Sequence, residues 1–146
     1  MGIVVGIDIG GSTTKIAGFR GEQMMLPVQI SADSAVASLF GAFGKFLYDN
    51  GLQLEDISQV NLTGVGCSSI KQRIYGLPTY KVDEFTSNGV GGGYFAQGKK
   101  TFMVVSMGTG TSFVEVKDGI PRHLGGIGIG GGTIMGLSKI MLNTSD

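Results

Sequence analysis

A chain of 146 residues with 42% hydrophobic and 15% charged residues can bury a core, and its 11 basic and 11 acidic side chains leave no net field for nucleic acid or an anionic membrane. No apolar run approaches the ~20 residues of a membrane span, and Met1-Gly2-Ile3 lacks the basic start of a secretory signal; the expectation is a cytoplasmic protein acting on a small molecule. The lone cysteine, Cys67, excludes an internal disulfide and a cysteine-rich metal cluster within one chain and reads as a small core residue.

Three successive strands are predicted at 3–9, 14–20 and 24–30, with Gly21-Glu22 turning the second into the third, an antiparallel meander. Asp33 or Ser31 can cap a helix from Ser34 to about Asn50, whose apolar positions Val36, Leu39, Phe40, Phe43 and Leu47 recur at three and four; Asn50-Gly51 stops it. A strand over 57–63 runs into Gly64-Val65-Gly66, a short helix over 68–74 closes at Gly76-Leu77-Pro78, and 79–82 is strand-like. The segment 84–97 is read as a helix with Asp83 near its start, although its glycines each cost about 1 kcal/mol relative to alanine. Gly89, Gly92 and Gly93 would let it pack closely. After the hinge Lys99-Lys100, strands are predicted at 101–106, 111–117 and 120–124, with Asp118-Gly119 as a two-residue hairpin turn, and a helix starts at Thr133.

The order is a βββα unit followed by a second that stops after its first helix. Its informative feature is a repeated turn: Asp8-Ile9-Gly10-Gly11-Ser12-Thr13-Thr14-Lys15, then Ser106-Met107-Gly108-Thr109-Gly110-Thr111-Ser112-Phe113, each between two apolar runs. Aligning the two turns also aligns Gly21 with Gly119. Backbone without side chains can close on an anion and aim N–H groups at it, and Ser and Thr add donors. Two such loops facing each other would grip a polyphosphate. The division expected is a first lobe over 1–98 and the beginning of a second over 99–146, the front part of a longer protein.

Ile7 to Lys15 resembles the first phosphate motif of the actin, sugar-kinase and heat-shock-chaperone ATPase superfamily, and Ser106 to Ser112 its second. Within that superfamily the chain resembles the type II (eukaryotic-like) pantothenate kinases. The residues that carry this are the Lys-containing first turn, Val82-Asp83-Glu84-Phe85, and Met107 to Ser112 followed by the glycine-rich run from Leu124 to Leu137. The resemblance implies an α/β, actin-like (ribonuclease H-like) fold with an incomplete second lobe, and ATP- and Mg²⁺-dependent phosphorylation of pantothenate, the first step towards coenzyme A. It implies Glu84 as general base, Asp8 holding Mg²⁺ through water, and Lys15 against the phosphates. Gly10, Gly11, Ser12, Thr13, Gly108, Thr109, Gly110 and the helix start at Gly130, Gly131 and Gly132 would bind the nucleotide. Ser106, Thr109, Gly110 and Thr111 would line the pantothenate end.

The family's arginine before the hydrophobic-Gly-Gly step is replaced here by His123, with Arg122 one residue earlier. Adjacent strand residues point to opposite faces, so Arg122 substitutes only if a bulge shifts the register. A homodimer when full length and coenzyme A or an acyl-CoA as feedback ligand are further implications; the 146 residues alone are expected to be inactive. Two competing readings are an activator ATPase of the 2-hydroxyacyl-CoA dehydratase and benzoyl-CoA reductase type, which would need more cysteines than Cys67, and a non-catalytic actin-like ATP-binding regulator.

Overall fold

The computed structural model describes residues 2–31 and 34–144, and the chain divides into two compact units, Met1–Val82 and Asp83–Asp146. In the first unit, β1 (Ile3–Ile9) pairs antiparallel with β2 (Thr13–Arg20). The third predicted strand is two short ones, β3 (Gln23–Met24) and β4 (Val28–Ser31), both on β2. The break falls at Leu26-Pro27, where proline has no N–H for the ladder. Asn50 takes over there: its Oδ1 accepts from Leu26 N at 2.9 Å, and its Nδ2 donates to the Leu26 and Phe46 carbonyls at 3.0 and 2.9 Å. The residue read as a helix stop therefore also ties the helix end to the broken strand.

Helix α1 (Ala35–Asn50) is capped by Ser34, whose Oγ accepts from Ala37 N at 3.5 Å, and not by Ser31; Asp33, the other expected cap, lies outside the described residues. It ends at Gly51, whose φ of 63° is the left-handed conformation glycine adopts without strain. Its buried face is Leu39, Ala42, Phe43 and Phe46, turned from the predicted stripe so that Val36 is exposed. These side chains meet Ile3, Val5, Ile7 and Ile9 of β1, each large one contributing about 1.5–3 kcal/mol by burial. Strand β5 (Ile57–Thr63) lies parallel to β1, and β6 (Thr79–Lys81) parallel to β5, giving the order β3-β2-β1-β5-β6 with β4 also on β2. The helix expected over 68–74 does not form. Two 3₁₀ turns, Val65–Ser69 and Ile74–Gly76, replace it, and Ile70 and Ile74 are buried separately. Cys67 packs half-buried against this core, as expected of a small apolar residue.

The second unit comprises α2 (Glu84–Phe95), the antiparallel sheet β7 (Thr101–Met107), β8 (Thr111–Lys117) and β9 (Ile120–Ile127), and α3 (Gly131–Leu142). Helix α2 lies so close to the sheet that a Cβ at Gly89 would collide with Pro121, and one at Gly92 with Val104. This packing assigns α2 to the second unit, so the compact units part after Val82 and not at the 98/99 boundary expected from the sequence.

The βββα repeat holds with one slip. Paired Ile9 and Thr14 enclose Gly10 to Thr13, whereas paired Met107 and Thr111 enclose only Gly108 to Gly110. The second turn is one residue shorter, so the alignment that matches Gly10 to Gly108 shifts beyond it. Gly21 is the first residue of its hairpin turn and Gly119 the second of its own.

Candidate functional site

The first turn is set by strand register. Alternation on β1 sends Ile7 and Ile9 into the core under α1 and Asp8 to the opposite face, half-exposed. Its direct cross-strand partner is Lys15, and Nζ donates to Asp8 Oδ2 at 3.2 Å. With both side chains more than a third exposed, the pair adds at most about 1 kcal/mol to stability; what it does is hold opposite charges at the strand end. Gly10 N donates to Thr13 O at 2.9 Å, closing the turn, with Gly11 and Ser12 exposed at its tip. The root is anchored by buried Thr14, whose Oγ1 lies 2.9 Å from Ser38 Oγ on α1. On the other flank of Asp8, Gly64 has φ 86°, and a Cβ there would strike Asp8 Oδ1 and the Ile9 carbonyl. Among the described residues no three His, Cys, Asp or Glu side chains cluster as a metal-binding set.

The second turn and the glycine run at Gly130 form one feature. Gly108 N donates to Gly110 O, and Gly131 N to Gly108 O, both at 2.8 Å. A Cβ at Gly130 would stand 2.6 Å from Gly110 O and 2.8 Å from Gly108 O, and one at Gly132 2.8 Å from Thr109 Cγ2. Glycine is required there because the first turn of α3 lies on the loop itself. The N-terminus of a 12-residue helix is thus laid beside a loop of N–H groups. Thr111, expected to line a substrate, has its hydroxyl donating to Ile129 O at 2.7 Å, and Thr133 Oγ1 donates to Gly128 O at 3.2 Å; both brace this junction.

At the start of α2 the two acids separate in role. Asp83 is the N-cap: its Oδ1 accepts from Thr86 N at 2.9 Å and from Thr86 Oγ1 at 3.1 Å. The Thr86 backbone N–H holds its pKa below the ordinary 3.8, with smaller help from the Thr86 hydroxyl, the Phe85 N–H and His123. Glu84, the first helical residue, is exposed, and among the described residues no hydrogen bond or ion pair engages it. The next residue, Phe85, stacks on His123 with ring centroids 3.6 Å apart and planes 8° from parallel. His123 therefore sits against the helix start that carries Glu84. It pairs with Val114 on the α2 side of the sheet, as the Ser106–Ser112 pair does nearer the turn. Arg122 is on the other face, its Nε 3.5 Å from Glu115 Oε2. A bulge does occur, with Phe113 opposite Gly125 and Val114 opposite His123, but the extra residue is Leu124, beyond both. It cannot turn Arg122 to the His123 side, and Arg122 does not belong with the expected substrate residues.

Two polar groups that the sequence did not single out are Thr63 Oγ1 and Asn88 Nδ2, both buried without a hydrogen-bond partner. Thr63 pairs with Asp8 in the parallel β1–β5 ladder, and Asn88 lies one helical turn after Glu84. A groove of about 510 Å³ is lined by Gly93, Lys99, Lys100, Phe102, Val116 and Asp118 at the opposite end of the second sheet from the Gly108–Gly110 turn, and none of the expected site residues lines it.

No family model matches the chain. It is 31% identical over 153 residues to the type II pantothenate kinase of Bacillus cereus (strain G9842), covering 95% of this chain and 50% of that protein. It is 32% identical over 146 residues to that of Bacillus anthracis, covering 95% and 49%. The chain spans about half the length of these relatives. Among solved structures it resembles component A of the (R)-2-hydroxyglutaryl-CoA dehydratase of Acidaminococcus fermentans (TM-score 0.78, 16% identity, 99% of this chain and 55% of that one). It also resembles the activator of the 2-hydroxyisocaproyl-CoA dehydratase from Clostridium difficile with bound ADPNP (TM-score 0.77, 19% identity, 97% and 53%). At these identities the structural likeness establishes the fold alone. The architecture is that of the actin-like ATPases and sugar kinases, and along nearly its whole length the chain is a relative of the type II pantothenate kinases.

Proposed function

We propose that the protein containing this chain is an ATP-dependent kinase that phosphorylates the primary hydroxyl of pantothenate. The observation that carries the reading is likeness to type II pantothenate kinases along 95% of the chain. The geometry supports it. Asp83 is engaged as a helix cap, so Glu84 is the carboxylate left to accept a proton from an alcohol. The residues also fit a magnesium nucleotide: Gly64 lets the chain pass close beside Asp8, Gly130 lets α3 start directly on the Gly108–Gly110 turn, and Thr63 presents an unpartnered buried hydroxyl beside Asp8.

Bound MgATP would supply the γ-phosphoryl group, with ADP as the leaving group. Lys15 would neutralise phosphate charge, Asp8 would hold cation-bound water, and N–H groups of the Gly108–Gly110 turn and the α3 start other than those of Gly108, Gly130 and Gly131, which bond within the loop, would face phosphate oxygens. Glu84 takes the acceptor's hydroxyl proton, and His123, fixed by Phe85, contacts the acceptor in place of the relatives' arginine. A second reading, an activator ATPase, draws on the structural likeness to the two dehydratase activators.

ADP release by the intact protein with ATP and Mg²⁺, with and without pantothenate, separates the two. Pantothenate-dependent ADP supports the kinase; ADP formed equally without pantothenate supports the activator ATPase. Glu84→Gln is expected to lower pantothenate-dependent turnover by about 10²–10⁴-fold, the range for a general base, while leaving ATP affinity unchanged. Full activity in Glu84→Gln would remove Glu84 from the mechanism.

A further inference from the structure

We propose that Thr63 is a positioning residue of the nucleotide site, its hydroxyl oxygen accepting a hydrogen bond from the water shell of a divalent cation held at Asp8; this rests on the nucleotide-binding reading above. Register places Lys15, Asp8 and Thr63 side by side on β2, β1 and β5, in a row on the face of the first sheet opposite α1. Asp8 Oδ2 accepts from Lys15 at 3.2 Å, while Oδ1 lies towards Gly64, the residue after Thr63. The carboxylate therefore stands between an ammonium group and the end of β5.

Thr63 Oγ1 has no partner although its oxygen is shielded from solvent. A hydroxyl in that state forfeits its hydrogen bonds with water and gains none from the protein, and valine would fill the same volume without that cost. Retaining threonine is explained if the missing partner is a ligand. A hydrated cation at Asp8 brings water donors to within one cross-strand step, and a water polarised by a divalent cation is a strong donor to a neutral hydroxyl oxygen.

The test is calorimetric titration of the intact protein with a non-hydrolysable ATP analogue, with Mg²⁺ and with EDTA, on wild type, Thr63→Val and Thr63→Ser, with a thermal melt of each. The expected result is that Thr63→Val melts at or above the wild-type temperature and binds the Mg²⁺ complex about tenfold more weakly, the scale of one hydrogen bond to a charged group. Its affinity in EDTA should be unchanged, and Thr63→Ser should remain within about twofold of wild type in Mg²⁺. Unchanged Mg²⁺-dependent binding in Thr63→Val overturns the proposal, as does equal weakening with and without metal. A lower melting temperature also overturns it, because the hydroxyl would then serve the fold. If wild type binds no nucleotide, the nucleotide reading and this inference fall together; if wild type binds and Thr63→Val matches it, only the inference falls.

Discussion

Gly130→Ala isolates the contact on which the second turn depends. The added methyl would meet Gly110 O at 2.6 Å, Gly110 C at 2.7 Å and Gly108 O at 2.8 Å, all main-chain atoms that cannot rotate aside. Either α3 or the Gly108–Gly110 turn must move by several tenths of an ångström. Overpacking of this kind costs about 1–3 kcal/mol. The movement would also strain the Gly131 N to Gly108 O bond of 2.8 Å that joins loop to helix. The control is Gly44→Ala on α1, where a Cβ meets nothing within 4 Å and the residue is exposed; replacing a mid-helix glycine there should stabilise by about 0.5–1 kcal/mol. Urea unfolding of the two variants beside wild type should therefore show midpoints displaced in opposite directions, with unchanged slopes. ATP affinity should fall at least tenfold for Gly130→Ala and stay constant for Gly44→Ala. If Gly130→Ala unfolds and binds ATP like wild type, the close seating of the turn on α3 is wrong.

Three further substitutions test the start of α2 and the face of β9. The Asp83 carboxylate has its pKa lowered in the folded state by bonds from Thr86, so its contribution is present above the ordinary 3.8 and is lost as pH falls through the lower folded value. Asp83→Asn should remove that acid-side component, read as a flatter stability-versus-pH curve below pH 4; an unaltered curve would show the cap to be electrostatically silent. Arg122→Ala should leave the KM for pantothenate within about twofold, since Arg122 lies on the Glu115 side of the sheet, whereas His123→Ala should raise it by about tenfold, the scale of one charge-assisted contact. The reverse order would return Arg122 to the substrate side.

Strand and helix identities were largely legible in the sequence because local signals agreed with the fold. Strand 57–63 and the start of α2 behind Asp83 were read at the boundaries observed, and the Asp118-Gly119 hairpin forms with both residues at positive φ. Departures arose where a local pattern had two physical solutions. Pro27 broke a continuous apolar run into β3 and β4, and Ile70 and Ile74 were buried by two separate turns in place of one helix. On α1, Leu39 and Phe43 suit either of two adjoining stripes, and only the sheet beneath selects the one containing Ala42 and Phe46. The candidate site shows the same division. Asp8 and Lys15 are near neighbours in sequence and emerge as a pair from one hairpin, but Thr63 joins them through a parallel pairing between distant segments that no local pattern reveals. Asp83 and Glu84 are adjacent acids in the sequence, and only the Thr86 bonds show that Asp83 is the one that caps α2.

The two turns differ in how they could attract an anion, and the difference bears on metal dependence. In the first, a carboxylate and an ammonium group 3.2 Å apart largely cancel at distances long compared with their separation, so the turn exerts little long-range pull on a polyphosphate. In the second, neither Met107 to Val114 nor Leu124 to Ile134 carries a charged side chain, so the turn and the glycine run draw an anion with backbone N–H groups and the N-terminal end of α3, worth a fraction of an elementary charge. Neither turn alone offsets the several negative charges of a nucleotide triphosphate. A divalent cation at Asp8 changes the balance in the first turn from neutral to positive and leaves Lys15 to act on phosphate oxygens. Under the proposed nucleotide-binding reading, the pairing of Asp8 with Lys15 is an electrostatic reason for cation-dependent binding, and a row that carries Thr63 on the far side of Asp8 is where the cation's water shell would find a partner.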